Sequence, residues 1–199
     1  MPHRPRPPVV LGSAFYDRPT LDVARDLIGK VLVHTVRGTR TSGVIVEVEA
    51  YIGESDPACH AAPGPTKRNE PLYGPPGRAY VYLNYGIHHL VNAVTESEGF
   101  PAAVLIRALE PLENIPAMRR RRGRADVPDV KLCSGPGNLT VALGIGPRHN
   151  RADLTNDSLT IEDHGLPARK MKWTSRIGIS VGKRHRWRCI AADSAAVTK

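Results

Sequence analysis

Cysteine is scarce in this sequence, and the spacing of the few cysteines excludes one class of metal site. The 199 residues contain Cys59, Cys133 and Cys189, and no two of them form a Cys-x-x-Cys pair. Thiolate zinc sites usually need such pairs, so we expect no zinc site of that kind. An odd number of distant cysteines is also typical of a reducing compartment, which predicts a cytoplasmic protein.

Other common signals are missing as well. No apolar run approaches the roughly 20 residues of a membrane-spanning helix, so we expect no membrane-spanning segment and no partner inside a membrane. No Gly-x-Gly-x-x-Gly or Gly-x-x-x-x-Gly-Lys-Ser/Thr motif occurs, which leaves no sequence evidence for a nucleotide cofactor. Residues 1–8 hold four prolines and two arginines rather than an apolar signal sequence. We therefore predict a disordered basic arm over residues 1–10 and a single domain over residues 11–199.

Acidic residues are outnumbered by basic ones, 19 to 28, and the formal net charge is +9. Such a balance favours a polyanionic partner, with nucleic acid first and an anionic membrane surface second. Lys67, Arg68 and the run Arg119–Arg122 are candidate phosphate contacts. Because consecutive residues of a helix point in different directions, only part of that run can face one partner, and a solvated charge run is the alternative interpretation.

Short β-branched and apolar runs, separated by turns, predict an α+β domain. We expect one curved, largely antiparallel β-sheet surrounded by helices and long loops, with a protruding β-hairpin. Helices are predicted over residues 20–28, with Thr20 as N-cap, 113–122 and 134–143. Strands are predicted over residues 30–36, 41–51, 79–83, 88–95, 102–109, 158–162, 177–181 and 187–191, and a long loop over residues 53–77.

The strand 41–51 carries an unusual polar face. Side chains alternate across a strand, so positions 44, 46, 48 and 50 form an apolar face. Ile45, Glu47, Glu49 and Tyr51 share the opposite face. Hydrolysis at a sugar carbon needs a carboxylate that can activate water, and this face offers two. A solvent-exposed strand with ordinary acids is the alternative interpretation.

Tyrosines cluster in one part of the chain. Four of the six, Tyr73, Tyr80, Tyr82 and Tyr85, lie within thirteen positions. Enzymes that act on nucleic acids stack aromatic rings on an extruded base, although Tyr80 and Tyr82 would also suit an ordinary strand. Tyr85 lies at the predicted tip of the hairpin, where an exposed ring could enter a base stack as a wedge.

Histidines do not make a metal site in this pattern. His60, His88 and His89 lack the His-Glu-x-x-His spacing, and adjacent histidines fall on opposite faces of a strand. Structural or hydrogen-bonding roles are the simpler interpretation, and we predict no bound metal.

Four blocks, in order along the chain, carry a family resemblance. They read Val-Glu-Val-Glu-Ala-Tyr, Ala-Tyr-Val-Tyr-Leu-Asn-Tyr-Gly, Ala-Val-Leu-Ile-Arg-Ala-Leu-Glu-Pro-Leu and Leu-Cys-Ser-Gly-Pro-Gly-Asn-Leu. These blocks resemble the alkyladenine (3-methyladenine, methylpurine) DNA glycosylases of the mammalian type, a family also found in bacteria. The resemblance runs from about Leu11 to Val197, with looser matches over residues 56–73 and 187–199.

The resemblance implies a base-excision repair enzyme. Such an enzyme flips alkylated purines out of duplex DNA and hydrolyses the N-glycosidic bond, leaving an abasic site. Whether deaminated purines are substrates as well stays open at this point. No lysine nucleophile is implied, so we expect a monofunctional glycosylase without lyase activity. The resemblance also implies no cofactor, a monomer bound to double-stranded DNA, and a nucleoid-associated location in the cytoplasm.

The resemblance also assigns residues around the damaged base. Glu49 matches the general base that activates the attacking water. Tyr51, His60 and Tyr82 match residues that surround the flipped base by stacking and hydrogen bonding.

Further assignments concern selectivity and DNA contact. Asn92 matches an asparagine at the pocket floor that rejects guanine through its exocyclic amino group. Arg107 matches an arginine beside the reaction centre that contacts the phosphate of the flipped nucleotide. Tyr85 matches the tyrosine inserted into the gap left by the base, and Arg68 is expected to bind DNA.

The chemistry of an alkylated purine agrees with one catalytic acid rather than two. Alkylation makes the base cationic, so it leaves readily and stacks well on tyrosine rings. One carboxylate can then position water and stabilise a cationic transition state, which leaves Glu47 with a structural role. Two alternatives stay open from the residues alone: a non-catalytic binder of modified DNA, and a nucleoside or sugar hydrolase that uses Glu47 and Glu49 as a pair.

Overall fold

The computed structural model describes residues 7–124 and 126–199. Its strands are β1 (Val9–Val10), β2 (Val31–Val36), β3 (Thr39–Ile52), β4 (Ala79–Asn84), β5 (His88–Val94), β6 (Ala102–Glu113), β7 (Leu159–Asp163), β8 (Met171–Thr174) and β9 (Arg188–Ala191). Its α-helices are α1 (Ser13–Tyr16), α2 (Thr20–Leu27), α3 (Ile115–Arg122) and α4 (Pro136–Leu143). Short 3-10 helices cover Glu70–Tyr73, Asp129–Lys131 and Pro147–His149. None of the described helices is long and apolar enough to cross a membrane.

The strands form one antiparallel sheet, which confirms the predicted α+β class. Its order is β1-β7-β2-β3-β6-β5-β4, and β9, which carries β8 on its far side, pairs with β3. The long strand β3 is the centre of the sheet. Its first half pairs with β2, its second half pairs with β9, and β6 runs along its other edge.

The predicted arm over residues 1–10 lies mostly outside the described part of the chain. Residues 1–6 are not described, so their disorder stays a prediction. Val9 and Val10, which the prediction included in the arm, pair with Asp163 and Glu162 of β7 as an edge strand.

Helices cover one face of the sheet and loops cover the other. Buried apolar side chains of α2 and α4, such as Leu27 and Leu139, join those of the central strands in the main core. A smaller cluster on the loop side contains Cys59, Leu72 and Tyr80, with Tyr51, Tyr73 and Tyr82 packed against it. The loop 53–77 therefore closes over the second face and forms part of a site there.

A bulge at Val46 of β3 changes the predicted assignment of its faces. The pairing with β6 shifts register between Ile45 and Glu47 and again between Glu47 and Val48. As a result Ile45 and Val46 both enter the main core, whereas Val44 packs with Val31 and Val33 in a separate cluster. Strict period two, which placed Ile45 beside Glu47, is wrong at this point because a bulge inserts an unpaired residue.

Two other local predictions were wrong. Residues 177–181 are not a strand, whereas Met171–Thr174, which was not predicted, is one. Thr20 is the first residue of α2 rather than its N-cap, and Pro19 takes that place. The Thr20 hydroxyl and N–H donate to the Glu96 carboxylate at 2.7 Å each, so a distant side chain supplies the acceptor that caps the helix.

The β4–β5 hairpin is confirmed and reverses at Tyr85. Tyr85 and Gly86 have positive φ angles of 49° and 69°, and the Ile87 N–H donates to the Asn84 carbonyl at 3.0 Å. Positive φ at two central residues is the turn geometry that matches the twist of a hairpin. A tyrosine is costly in that conformation, which non-glycine residues seldom adopt.

A buried histidine pair joins β2 to the 3-10 helix at 147–149. The Nε2 atoms of His34 and His149 lie 3.1 Å apart. His34 Nδ1 donates to the Leu143 carbonyl at 2.7 Å, and His149 Nδ1 accepts the Gly146 N–H at 3.0 Å. The Leu143 carbonyl requires a proton on His34 Nδ1, which leaves Nε2 of neutral His34 as an acceptor. His149 has partners for either tautomer, because its Nε2 also lies 3.3 Å from Arg148 Nε and its Nδ1 lies 3.2 Å from the Gly146 carbonyl.

Candidate active site

The sheet register places several predicted residues in one row. Tyr80 of β4 lies opposite Asn92 of β5, Asn92 lies opposite Leu105 of β6, and Leu105 lies opposite Glu49 of β3. Directly opposed residues point to the same face of a sheet. The side chains therefore meet on the face that the loops cover.

A cavity of about 360 Å³ lies over this row. Six of the predicted site residues line it: Tyr51, His60, Tyr82, Tyr85, Asn92 and Arg107. Arg68 and Glu49 are the predicted residues outside its lining, and Glu49 lies directly behind it. Its volume suits a single flat base, and its wall combines aromatic rings with a few polar groups, which is typical of ligand sites.

Glu49 is fully buried and held by three donors. Its Oε2 accepts the Tyr51 hydroxyl at 2.9 Å and Arg107 Nη1 at 3.2 Å, and its Oε1 accepts the Ile177 N–H at 2.7 Å. All three donors belong to residues that line the cavity. A carboxylate has about four acceptor positions, so one position is left for a further donor such as water.

Glu47 is equally buried but has a different set of partners. Its Oε1 accepts Arg107 Nε and Arg188 Nε at 2.8 Å each and the Thr198 hydroxyl at 2.6 Å, and its Oε2 accepts the Thr198 N–H at 2.7 Å. Glu47 does not line the cavity. The carboxylate is therefore saturated by protein donors, in agreement with the structural role expected for it.

Arg107 links the two carboxylates. The side chain is buried, with Nε on Glu47 and Nη1 on Glu49. Burial lowers the pKa of Arg107, but Glu49 and Glu47 raise it by more, so it stays above its usual range. The predicted phosphate contact stays a prediction, because Nε and Nη1 are already engaged by the carboxylates.

An aromatic wall faces these charged groups. His60 and Tyr82 pack edge to face at 4.5 Å, and Tyr80 and Tyr82 lie 5.1 Å apart with a tilt of 31°. His60 Nδ1 lies 2.9 Å from the Tyr80 hydroxyl. Burial and then the charge of Arg68 lower the pKa of His60, which keeps its ring neutral. Burial raises the pKa of Tyr80 to about 12, so its hydroxyl remains a donor.

Asn92 is buried at the floor, and its amide orientation is fixed by the backbone. Its Nδ2 donates to the Tyr80 carbonyl at 3.0 Å. This contact uses one of the two amide hydrogens, so the second hydrogen and the amide oxygen remain for a bound base. The side chain occupies the position expected for it, and its role in selectivity stays a prediction.

The hairpin tip stands at the rim of the cavity. Tyr85 is 86% exposed, and Leu83 and Ile87 beside it are also exposed. Arg68 from the long loop lies 5.8 Å above the Tyr82 ring, and its Nη2 donates to the Leu83 carbonyl at 3.4 Å. Exposed apolar groups and a cation thus surround the entrance.

The arginine run of α3 is divided between internal contacts and solvent. Arg119 pairs with Asp129 and donates to the Val127 carbonyl, and Arg121 donates to the Ala142 carbonyl at 2.9 Å. Arg120 is exposed. Part of the run therefore ties α3 to its neighbours, as the different directions of consecutive side chains suggested.

Sequence reasoning missed one support of the site. Arg176 is buried, pairs with both oxygens of Asp56 at 2.6 and 2.8 Å, and lies over the Tyr51 ring at 4.6 Å. It leads directly into residues 177–179, which line the cavity. The sequence signal for it is a lone arginine before an apolar alternation, and that alternation by itself predicts a strand over residues 177–181.

Neither a metal-ligand cluster nor a reactive thiol is found at the site among the described residues. Within residues 7–124 and 126–199, no group of three or more His, Cys, Asp or Glu side chains could hold a metal ion. Cys59 lines the cavity, but burial raises the pKa of its thiol to about 11. The chemistry available at the site is therefore that of a buried carboxylate, an arginine and aromatic rings.

Comparisons with known proteins agree on one family. The sequence profile of the family described as methylpurine-DNA glycosylase matches residues 14–195. A curated relative from Chlorobaculum tepidum is 46% identical over 191 residues, which cover 95% of this chain and 90% of the relative. A relative from Rubrobacter xylanophilus is 52% identical over 164 residues, which cover 82% of this chain and 84% of the relative. One from Methanocella arvoryzae is 46% identical over 194 residues, 96% of each. Each carries the name "Putative 3-methyladenine DNA glycosylase".

Proposed function

Because the chain belongs to the methylpurine-DNA glycosylase family, we propose that it removes methylated purines from duplex DNA by hydrolysing the N-glycosidic bond. The product is an abasic site, and the enzyme is a monofunctional repair glycosylase. The observation that carries the proposal is the position of Glu49, a buried carboxylate directly behind an aromatic cavity whose rim holds an exposed tyrosine.

Glu49 acts as the base that activates water. Three of its acceptor positions are used by Tyr51, Arg107 and Ile177, and the fourth receives the attacking water. The water transfers a proton to Glu49 as its oxygen bonds to the sugar carbon, and the pair of electrons of the broken bond leaves with the base. Among the described residues no lysine lines the cavity, which agrees with hydrolysis rather than lyase chemistry.

The aromatic wall selects cationic bases. Tyr51, His60 and Tyr82 line the cavity, where their rings can pack against a flat purine. A positively charged ring gains a cation–π interaction that a neutral purine lacks. Deaminated purines are neutral, so we expect the enzyme to release them more slowly than methylated purines.

Base extrusion depends on the hairpin. Tyr85 fills the gap that the flipped nucleotide leaves, and Arg68 contacts a phosphate beside it. Asn92 at the floor presents its amide oxygen and nitrogen in fixed directions, so it discriminates against guanine. Unstacking costs a few kcal/mol, which the inserted ring offsets.

The direct test is release of methylated purine from alkylated duplex DNA. Wild-type protein should release it, and Glu49→Gln should slow the single-turnover rate by about 10² to 10⁴-fold while still binding the duplex. Full activity in Glu49→Gln would refute the assignment of the base. Binding without any release by the wild type would instead indicate a non-catalytic reader of modified DNA.

A second arm uses free methylated nucleoside in place of duplex. Turnover of the nucleoside at a comparable rate would favour a nucleoside hydrolase. We expect almost none, because Tyr85 and Arg68 can contribute only when DNA is present.

A further inference from the structure

The end of the sequence folds back onto the carboxylate behind the site. Thr198 donates to both oxygens of Glu47, through its N–H at 2.7 Å and its hydroxyl at 2.6 Å. Its carbonyl accepts Arg188 Nη2 at 2.8 Å. The segment after β9 is thus fastened to a residue 151 positions earlier in the chain.

Arg107 connects Glu47 to Glu49, the proposed general base. Arg107 Nε binds Glu47 at 2.8 Å and its Nη1 binds Glu49 at 3.2 Å. Since a guanidinium is planar and rigid, fixing Nε on one carboxylate fixes the direction of Nη1 toward the other. A continuous series of hydrogen bonds therefore runs from Thr198 through Glu47 and Arg107 to Glu49.

We propose that Thr198 is a positioning residue for the glycosylase reaction: its two hydrogen bonds hold Glu47 in its orientation, and Glu47 in turn holds Arg107 in place beside Glu49. This inference rests on the proposed function and adds a residue to which the family resemblance assigns no role. Thr198 does not line the cavity, so it acts on the reaction without touching the base.

The electrostatics of Glu47 support the role of Thr198. Burial has the largest effect and raises the pKa of Glu47, but the hydrogen bonds from the Thr198 hydroxyl and N–H, followed by Arg107, lower it below its usual range. Arg188 also faces the carboxylate from β9. Without the hydroxyl, Glu47 would take up a proton at higher pH, and Arg107 would lose a charged partner.

The test compares Thr198→Val, Thr198→Ser and Ser194→Ala. Valine has nearly the shape of threonine but lacks the hydroxyl, serine retains it, and Ser194 lies in the same segment, where its hydroxyl accepts the Ala196 N–H at 3.2 Å. Single-turnover release of methylated purine is measured from pH 5 to 9, together with affinity for duplex DNA containing an abasic-site analogue.

The valine variant should release base about tenfold more slowly at neutral pH, because a small misplacement of a catalytic group is costly. Its acid limb should move to higher pH, and its affinity for the analogue should stay within about twofold of wild type. Serine should restore both rate and pH profile, and Ser194→Ala should match wild type. An unchanged rate and profile in folded Thr198→Val would overturn the proposal, as would a parallel loss of affinity and rate in Ser194→Ala.

A second measurement does not depend on activity. Carbon-13 NMR of labelled glutamate carboxyl groups, with Glu47→Gln for assignment, follows protonation of Glu47 directly. Thr198→Val should raise its pKa relative to wild type and to Ser194→Ala, and equal values in all three would overturn the inference. If the wild type releases no base, the proposed function fails, and the NMR comparison still decides whether Thr198 controls Glu47.

Discussion

At the scale of single residues, burial and partners distinguish two carboxylates that look equivalent in the sequence. Glu47 and Glu49 are both fully buried on the same side of β3. Glu47 receives donors from Arg107, Arg188 and Thr198, whereas every donor to Glu49 comes from the cavity wall. The alternation predicted that both acids share a face, but it could not predict that contacts from distant parts of the chain would saturate only one of them.

The buried histidine pair predicts a dependence of stability on pH. Burial is the main cause that lowers the pKa of His34 and of His149; the charges of Arg148 and Arg121 add to it for His34, and His34 itself adds to it for His149. A histidine whose folded-state pKa lies below its unfolded value of about 6.5 contributes stability that is present above that pH and is lost as pH falls. Protonation of both rings would also place two N–H donors against each other at 3.1 Å.

We therefore expect the free energy of unfolding in urea to fall between pH 7 and pH 5, before most carboxylates titrate. In His149→Gln, whose amide can still donate to His34, this fall should become smaller. The exposed His185 provides a control, and His185→Gln should retain the wild-type dependence. An equally steep fall in His149→Gln would show that the pair is not its source.

At the scale of secondary structure elements, local patterns predicted most strands but not all pairings. The β4–β5 hairpin and the central strands were found because their apolar runs are bounded by turn residues. Residues 177–181 alternate like a strand, yet the Ile177 N–H donates to Glu49 rather than to a neighbouring strand. Strand pairing depends on contacts with distant segments. Local alternation therefore cannot distinguish a strand from a segment that lines a cavity.

The hairpin turn predicts a conflict between stability and DNA binding. Tyr85 has a φ of 49°, a conformation that costs a non-glycine residue roughly 1 kcal/mol or more. Asparagine tolerates it better, so Tyr85→Asn should leave the free energy of unfolding unchanged or raise it by up to about 1 kcal/mol. The same variant should bind duplex with an abasic-site analogue at least tenfold more weakly. A large loss of stability on urea unfolding would indicate instead that Tyr85 supports the fold.

Packing of α4 against β5 predicts a sensitive glycine. A Cβ atom at Gly137 would lie 2.6 to 2.9 Å from atoms of His88, including its Cβ. Gly137→Ala should therefore lower the free energy of unfolding by about 1–3 kcal/mol, because the strand or the helix must move. A Cβ atom at Gly146 would meet nothing within 4 Å, and the φ of Gly146 is negative. Gly146→Ala should therefore leave the free energy of unfolding nearly unchanged, and urea unfolding of both variants measures the difference.

At the scale of the whole molecule, the net charge of +9 predicts salt-dependent DNA binding. Each phosphate contact contributes about 0.9 to the slope of log affinity against log salt concentration. Arg68→Ala should reduce that slope by about one. Arg25 is already paired with Asp22 and Asp26, so Arg25→Ala should leave it unchanged. Fluorescence anisotropy with unmodified duplex between 50 and 200 mM salt measures the slope for each variant. Equal slopes in the two variants would show that Arg68 does not contact DNA.

Burial of the three cysteines predicts resistance of the protein to alkylating agents. Burial raises the pKa of Cys59 and Cys189 to about 11 and that of Cys133 to about 12. At neutral pH these thiols therefore carry far less thiolate than an ordinary exposed cysteine. Reagents that methylate purines also attack thiolates, so native protein should resist iodoacetamide where unfolded protein reacts. The enzyme can thus remain unmodified during the same exposure to alkylating agents that methylates purines in DNA.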